Sequence, residues 1–303
     1  MELNQTSPPP TSPVPEINEE VCAVEVTKMA IDGVTLLICL CGLVGNGAVL
    51  WLLGFRIRRN PITVYVLNLA VSDFIFLIFT VTSTFHYMME NICSSVLSNV
   101  YPTTLFLLSL FSYNMGLYLL TAISIERCMS ILFPLWYRCH RPQHLSAVVC
   151  VLLWALSITV IAAVTSLCLL SDDEHCRIAL ISMYILNFSI FASPMVISNV
   201  ILFMKVLCGS KQRQPKRLYI VIFLTILFFL TFGVPLSILN FFQQFYSLLV
   251  SARVLFLLAC VNSSINPFIY FLVGSYRRHC SLVSLQVAFR RVFEETAITT
   301  ISS

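Results

Sequence analysis

Charge is what this chain has least of. Only 11% of its 303 residues are Asp, Glu, Lys or Arg, against about a quarter in a soluble domain. So little charge cannot cover a water-facing surface, which excludes an ordinary soluble globule. Histidine is scarcer: His86, His140, His144, His175 and His279 are the whole supply, and none pairs with a carboxylate at metal-ligand spacing. No catalytic constellation can be assembled from such a set, so an enzyme is not expected, nor a metal or cofactor. The N-terminal residues lack a basic stretch followed by a short apolar one, so no cleaved leader is expected. Solenoid-type repeats and a soluble catalytic domain are missing as well.

What the chain has instead is long uncharged runs. Gly33 to Phe55, Asn91 to Ile125, Ser146 to Ser171, Ile178 to Met204, Leu218 to Ala252 and Val254 to Tyr276 contain no Asp, Glu, Lys or Arg. A seventh run, Asn60 to Met89, is interrupted only by Asp73. A membrane-crossing helix needs roughly 20 mostly apolar residues, so the expected fold is an all-α membrane protein, a seven-helix bundle over residues 29–274. Residues 1–28, rich in Pro, Ser and Glu, read as a disordered tail. Residues 275–293 read as a short amphipathic helix, with a tail after it.

Seven spans put the termini on opposite sides, and the basic residues choose the sides. Arg56, Arg58, Arg59, Arg127, Arg138, Arg141, Lys205, Lys211, Arg213, Lys216, Arg217, Arg277, Arg278, Arg290 and Arg291 all fall on one face, leaving Lys28, Arg177 and Arg253 on the other. Ten of the 14 acidic residues share that second face. The N-terminus is therefore expected outside a plasma membrane and the C-terminus in the cytoplasm. The net charge of +4 then reflects topology and points to the lipid bilayer as partner, not to nucleic acid. Asn4-Gln5-Thr6 on the outer tail is a glycosylation sequon; Asn187-Phe188-Ser189 and Asn262-Ser263-Ser264 match too, but inside helices.

An ionised carboxylate at mid-bilayer costs about 2.5–3.5 kcal/mol to insert, so Asp73 needs partners or a role. Asn46 in the first span, between Gly45 and Gly47, and Asn262, Ser263 and Asn266 in the seventh are the candidates. Either they make ordinary interhelical hydrogen bonds or they form a polar hub that couples the two faces of the bundle. Pro194, Pro235 and Pro267 each remove a backbone hydrogen bond inside a span and predict bends. Glu126-Arg127 closes the third run, and Trp136-Tyr137 follows as an interface belt.

Taken in order, these positions resemble the rhodopsin-like G protein-coupled receptors. Gly45-Asn46, Leu69-Ala70 with Asp73, Glu126-Arg127-Cys128, Trp154, Pro194, Pro235 and Asn266-Pro267-Phe268-Ile269-Tyr270 carry the likeness. The Mas-related receptors are closer still. The chain is similar to them in Glu126-Arg127-Cys128, in Pro134-Leu135-Trp136-Tyr137-Arg138-Cys139-His140-Arg141-Pro142, in Trp51-Leu52-Leu53-Gly54-Phe55 and in Tyr270-Phe271-Leu272-Val273-Gly274-Ser275. Gly233 stands where most rhodopsin-like receptors have Trp, as it does in the Mas-related family.

The resemblance implies a receptor for an extracellular peptide or small-molecule agonist, signalling to a heterotrimeric G protein. Its implied activation switch comprises Asn46, Asp73, Glu126, Arg127, Pro194, Phe229, Gly233, Pro235, Asn262, Asn266, Pro267 and Tyr270. Ligand-pocket candidates are Tyr101, Phe106, Ser109, Tyr113, Phe241, Gln244 and Arg253. The Asp of amine receptors is Ser109 here, and the Glu some Mas-related receptors use to hold cations is Val164, which argues against a monoamine. Arg253 faces either an anionic ligand group or an ion pair. The usual disulfide from the third span is missing, because Pro102 occupies its position. The family instead implies a Cys168–Cys176 bridge, while Cys22 and Cys93 stay open. Cys280 is a candidate for palmitoylation. Gly116 replaces a sodium-site serine, and Pro215-Lys216-Arg217 replaces the acid that usually faces the helix 3 arginine, so Arg127 is expected to lack that acid clamp. The rival reading is a transporter or channel with Asp73 as its ion site.

Overall fold

The computed structural model describes residues 19–90, 100–170, 173–208, 216–243, 252–275 and 285–293. Asn4, Cys93, Gln244 and Cys280 lie outside them. Among the described residues seven helices are long and apolar enough to cross a membrane: Val26–Arg56, Pro61–Phe85, Phe106–Leu132, Leu145–Cys168, Glu174–Met204, Arg217–Phe242 and Arg253–Ser275. The helical elements are α1 (Glu19–Trp51), α2 (Pro61–Glu90), α3 (Val100–Leu132), α4 (Pro134–Cys139), α5 (Leu145–Leu170), α6 (Asp173–Asn187), α7 (Ser193–Cys208), α8 (Lys216–Phe228), α9 (Val234–Gln243), α10 (Ala252–Ser275) and α11 (Leu285–Phe293).

Three boundaries differ from those expected. The first helix begins at Glu19 rather than near Met29, ahead of the span that starts at Val26. The third helix does not stop at Arg127 but runs on to Leu132, which buries Glu126 and Arg127 at 8% and 7% exposure. The amphipathic helix is seen as Leu285–Phe293, and Ser275 belongs to the seventh span. Its Ala288, Phe289, Val292 and Phe293 are buried, while Arg290 is exposed.

Two of the expected bends are π-helical turns. Phe188–Ala192 precedes Pro194, and Phe229–Gly233 precedes Pro235. A π-turn absorbs the register change that a proline without an N–H would otherwise force on the helix. Pro267 instead sits inside the unbroken α10.

The third span lies at the centre of the bundle: 72% of its most apolar stretch is buried, against 17% for the fourth. Small residues let the first and seventh spans approach each other closely. A Cβ on Gly42 would meet Ser264 Cβ at 2.7 Å, and one on Gly45 would meet Pro267 at 3.0 Å. Trp154 donates to Asn68 Oδ1 at 2.9 Å, tying the fourth span to the second. At the start of α2, Asn60 accepts from the Thr63 backbone at 2.9 Å, and the Asn60 backbone donates to Thr63 Oγ1 at 2.8 Å, a reciprocal cap with Pro61 at the first helical position. The Asn60 amide also donates to the Phe293 carbonyl at 2.8 Å, so one residue starts α2 and ends α11.

Candidate functional site

Pro267 has no N–H, so the Ser263 carbonyl one turn earlier loses its helical donor. In lipid such a carbonyl must find another partner. Asn46 supplies it: its amide donates to Ser263 O at 3.0 Å and to Gly42 O at 3.0 Å. One residue before that proline, Asn266 donates to Asp73 at 3.1 Å. Ser263 also bonds Asp73 and meets Ser112 of the third span at 3.3 Å. The first, second, third and seventh spans thus converge on one carboxylate. Asn262 is only half-buried and makes no side-chain hydrogen bond among the described residues, so of the three seventh-span candidates Ser263 and Asn266 reach Asp73.

Toward the basic end an apolar layer follows. Leu120, Ile123, Val221 and Ile222 line, with Tyr270, a gap of about 10 Å³, at the lower limit for a single water. Tyr270 packs edge-on against Phe289 and Phe293 of α11, at 6.1 and 5.7 Å between ring centres.

Below that layer the Glu126–Arg127 pair is split. Glu126 Oε1 accepts from Arg141 Nε at 2.5 Å and from the Tyr137 hydroxyl at 2.8 Å, and Oε2 accepts from Tyr65 at 3.3 Å. Arg141 also donates to Ser146 at 2.5 Å. Burial and the adjacent carboxylate push the Tyr137 hydroxyl up to about 12, so it remains a donor. Arg127, without an ion pair to Glu126, donates instead to the Tyr219 hydroxyl at the base of the sixth span, and its Nε has no partner among the described residues. The contact with the sixth span is thus not the acid clamp of the commoner pattern but a neutral one, and it stands two residues beyond Arg217, where a search for an acid would not find it.

The sixth span holds a second arrangement. Phe229 stacks on Tyr113, with ring centres 5.6 Å apart. Cβ atoms added at Gly116 and Gly233 would come within 3.3 and 3.2 Å of the same ring. The two glycines form the slot that Phe229 fills. Between the third and fifth spans, Tyr118 donates to Asn187 Oδ1 at 2.8 Å, and the Asn187 amide donates to Asn114 at 2.8 Å. Thr121 reaches the Phe191 carbonyl at 3.1 Å beside the Pro194 π-turn. Asn114 and Asn187 were visible as isolated polar residues in apolar helices; that they choose each other was not.

The pocket candidates divide. Phe106 and Phe241 pack with Leu110, Val164 and Tyr184 in an apolar cluster beside a Cys168–Cys176 disulfide, whose Cα atoms are 4.3 Å apart. Ser109 donates to the Phe106 carbonyl at 2.7 Å. Arg253 lies apart from them in an ion pair with Asp32 of the first helix at 2.5 Å, so of its two readings the structure displays the ion pair. Tyr101 lies in α3, and Gln244 falls outside the described residues.

The chain was also compared with known proteins. The family described as "7 transmembrane receptor (rhodopsin family)" matches residues 45–270. Proto-oncogene Mas of Rattus norvegicus is 42% identical over 262 residues, covering 84% of this chain and 80% of its own. Mas-related G-protein coupled receptor member X2 of Macaca mulatta is 43% identical over 277 residues, covering 86% and 82%. Member H of Rattus norvegicus is 42% identical over 291 residues, covering 90% and 86%. These relatives give the transporter reading no support. A hub on Asp73, a split Glu126–Arg127 pair and seven matching spans lead to one conclusion: the chain belongs to the rhodopsin family of seven-transmembrane receptors, as a multi-pass G protein-coupled receptor of the Mas-related group.

Proposed function

We propose that this receptor senses an extracellular peptide or small molecule and activates a heterotrimeric G protein by outward movement of the sixth span. The observation that carries the reading is Arg127, buried between the third and sixth spans at the basic end and, among the described residues, tied to the mobile partner through Tyr219. An agonist that binds the active arrangement better shifts the population toward it. The sixth span then hinges at the π-turn before Pro235, Phe229 leaves its glycine slot, Asp73 and Asn266 repack, and Arg127 is freed for the G protein. Tyr270 holds the opened layer.

The orientation belongs to the same proposal. The basic face is cytoplasmic and the acidic face extracellular, which puts Asn4 within reach of glycosylation and Cys280 within reach of palmitoylation. The pocket is assigned to Tyr101, Phe106, Ser109, Tyr113, Phe241 and Gln244 in the outer halves of the third and sixth spans, with Arg253 as its flank.

The test is calcium and cyclic AMP output from cells expressing wild type or Arg127→Ala at equal surface density, basally and across a panel of peptides and metabolites. Loss of the response in the variant supports the mechanism. An undiminished response would remove Arg127 from it.

A further inference from the structure

The first and seventh spans meet along one seam. On α1, Asp32, Thr35, Cys39, Gly42 and Asn46 recur at helical spacing and share a face; on α10, Arg253, Cys260 and Ser264 do the same. Two contacts close the acidic half of this seam: the Asp32–Arg253 ion pair and, further in, a bond from Ser264 to the Ile38 carbonyl at 3.2 Å. Between them lie Cys39 and Cys260, both fully buried and neither in a disulfide. Their thiols hydrogen-bond to each other, and Cys260 also bonds Thr80 of α2. The Thr80 hydroxyl donates its only proton to the Phe76 carbonyl at 2.8 Å, so toward Cys260 it accepts. Cys260 therefore spends its S–H on Thr80 and turns a sulfur lone pair to Cys39, whose S–H points at it. One proton lies between two sulfurs.

A soft cation can take the place of that shared proton. Thiolate sulfur selects copper(I), zinc and iron–sulfur clusters. Zinc takes at least three protein ligands and a cluster takes four thiolates. Among the described residues no group of three or more His, Cys, Asp or Glu stands together, which leaves copper(I), an ion content with two sulfurs. Charge decides the same way. Phe76, Leu77, Leu236, Leu255 and Ala259 enclose the pair in apolar carbon, where an uncompensated charge is costly. A monovalent ion that enters and releases the Cys39 proton leaves the site neutral: Cys39 becomes the thiolate, and Cys260 stays a thiol that still donates to Thr80. A divalent ion exchanged for the same proton would leave a net positive charge there. Two metal–sulfur bonds of about 2.3 Å hold their sulfurs roughly 4–5 Å apart, close to the spacing of two thiols in contact.

We propose that Cys39 and Cys260 form a two-sulfur site for copper(I) that bridges the first and seventh spans. Nothing in the site depends on the signalling mechanism proposed above. Cys41, two residues along α1, is exposed and supplies an internal comparison, a thiol of the same helix that faces away from the seam.

The experiment loads the full chain, in phosphatidylcholine nanodiscs, with copper(I) under anaerobic reducing conditions, washes it with the chelator bicinchoninate and counts the metal retained. Cys39→Ala and, independently, Cys260→Ala should each lose one copper per receptor relative to wild type, and Cys41→Ala should lose none. Copper should also raise the melting temperature of wild type and Cys41→Ala, because it binds the folded chain, and leave that of the other two variants unmoved. Equal retention in wild type and in the folded Cys39→Ala and Cys260→Ala variants would overturn the proposal. A second measurement needs wild type alone, so variants that fail to fold leave the question decided. Cryo-electron microscopy of the receptor loaded with silver(I), a redox-inert stand-in for copper(I), should show one strong peak between the Cys39 and Cys260 Sγ atoms. No peak there, or silver confined to other cysteines, would overturn the site as well.

Discussion

At the scale of single residues, the chain departs from the commonest receptor pattern in pairs rather than singly. Gly233 for Trp would leave a hole, but Phe229 turns into the space and Gly116 across from it makes room. Gly233→Trp is therefore an insertion into a filled slot, and overpacking of this kind costs about 1–3 kcal/mol. The variant is expected to melt several degrees lower than wild type. Adding Phe229→Ala should recover most of the loss, because the two rings compete for one volume; additive losses would show that they do not. Tyr137 makes a second residue-scale prediction. Its hydroxyl is raised from 10.0 to about 12, so the folded state keeps a proton that the unfolded chain releases first. The stabilisation is whole below pH 10 and fades as pH rises through about 12. The melting difference between wild type and Tyr137→Phe should be constant from neutral pH to about 10 and shrink above it. Both predictions rest on contacts that no motif announces. Gly116 and Gly233 were legible as substitutions, and Glu126 and Arg127 as a charged pair. That Glu126 would choose Arg141, 15 residues on, over its neighbour depends on how a loop folds back, which local pattern does not encode.

At the scale of elements, run length and charge were enough for the seven spans, because the membrane imposes a length and penalises charge along it. The prolines likewise marked where helices would be irregular, though not how. Pro267 is answered by Asn46 from another helix, whereas Pro194 and Pro235 are answered by π-turns within their own. The docking of α11 was legible only in part, from its amphipathic pattern. What holds it is backbone contact: a Cβ on Gly274 would run into the Ala288 carbonyl oxygen and lie 3.0 Å from Ala288 Cα. Backbone atoms cannot rotate aside as a side-chain tip can, so Gly274→Ala should push α11 off the seventh span. Phe289 and Phe293 would withdraw from Tyr270, and the Asn60 bond to the Phe293 carbonyl would break. The expected signature is faster hydrogen exchange in residues 285–293, with the spans themselves protected as before. Unchanged exchange there would mean that the contact is softer than its geometry indicates.

At the scale of the whole molecule, the proposed mechanism makes the receptor a two-state equilibrium whose bias is set by the split Glu126–Arg127 pair. A buried arginine held by a carboxylate is restrained by a hydrogen-bonded charge pair. Here, among the described residues, it is restrained by the Tyr219 hydroxyl, while Arg141 and Tyr137 occupy the carboxylate. The loss of one such hydrogen bond is worth about 1.5 kcal/mol, or roughly tenfold in an equilibrium constant. A resting state restrained this lightly implies basal signalling above that of empty-vector cells, and it also fixes the sign of two substitutions. Tyr219→Phe removes the restraint and should raise agonist-free output, up to about tenfold where the wild-type active fraction is small. Arg141→Ala releases Glu126 to pair with Arg127 and should lower agonist-free output while shifting agonist dose–response curves to higher concentration. Opposite signs at matched surface expression are what a competition for Arg127 requires. If both variants moved basal output the same way, the shared effect would be a general loss of packing at the basic end, and Arg127 would not be the group on which the equilibrium turns.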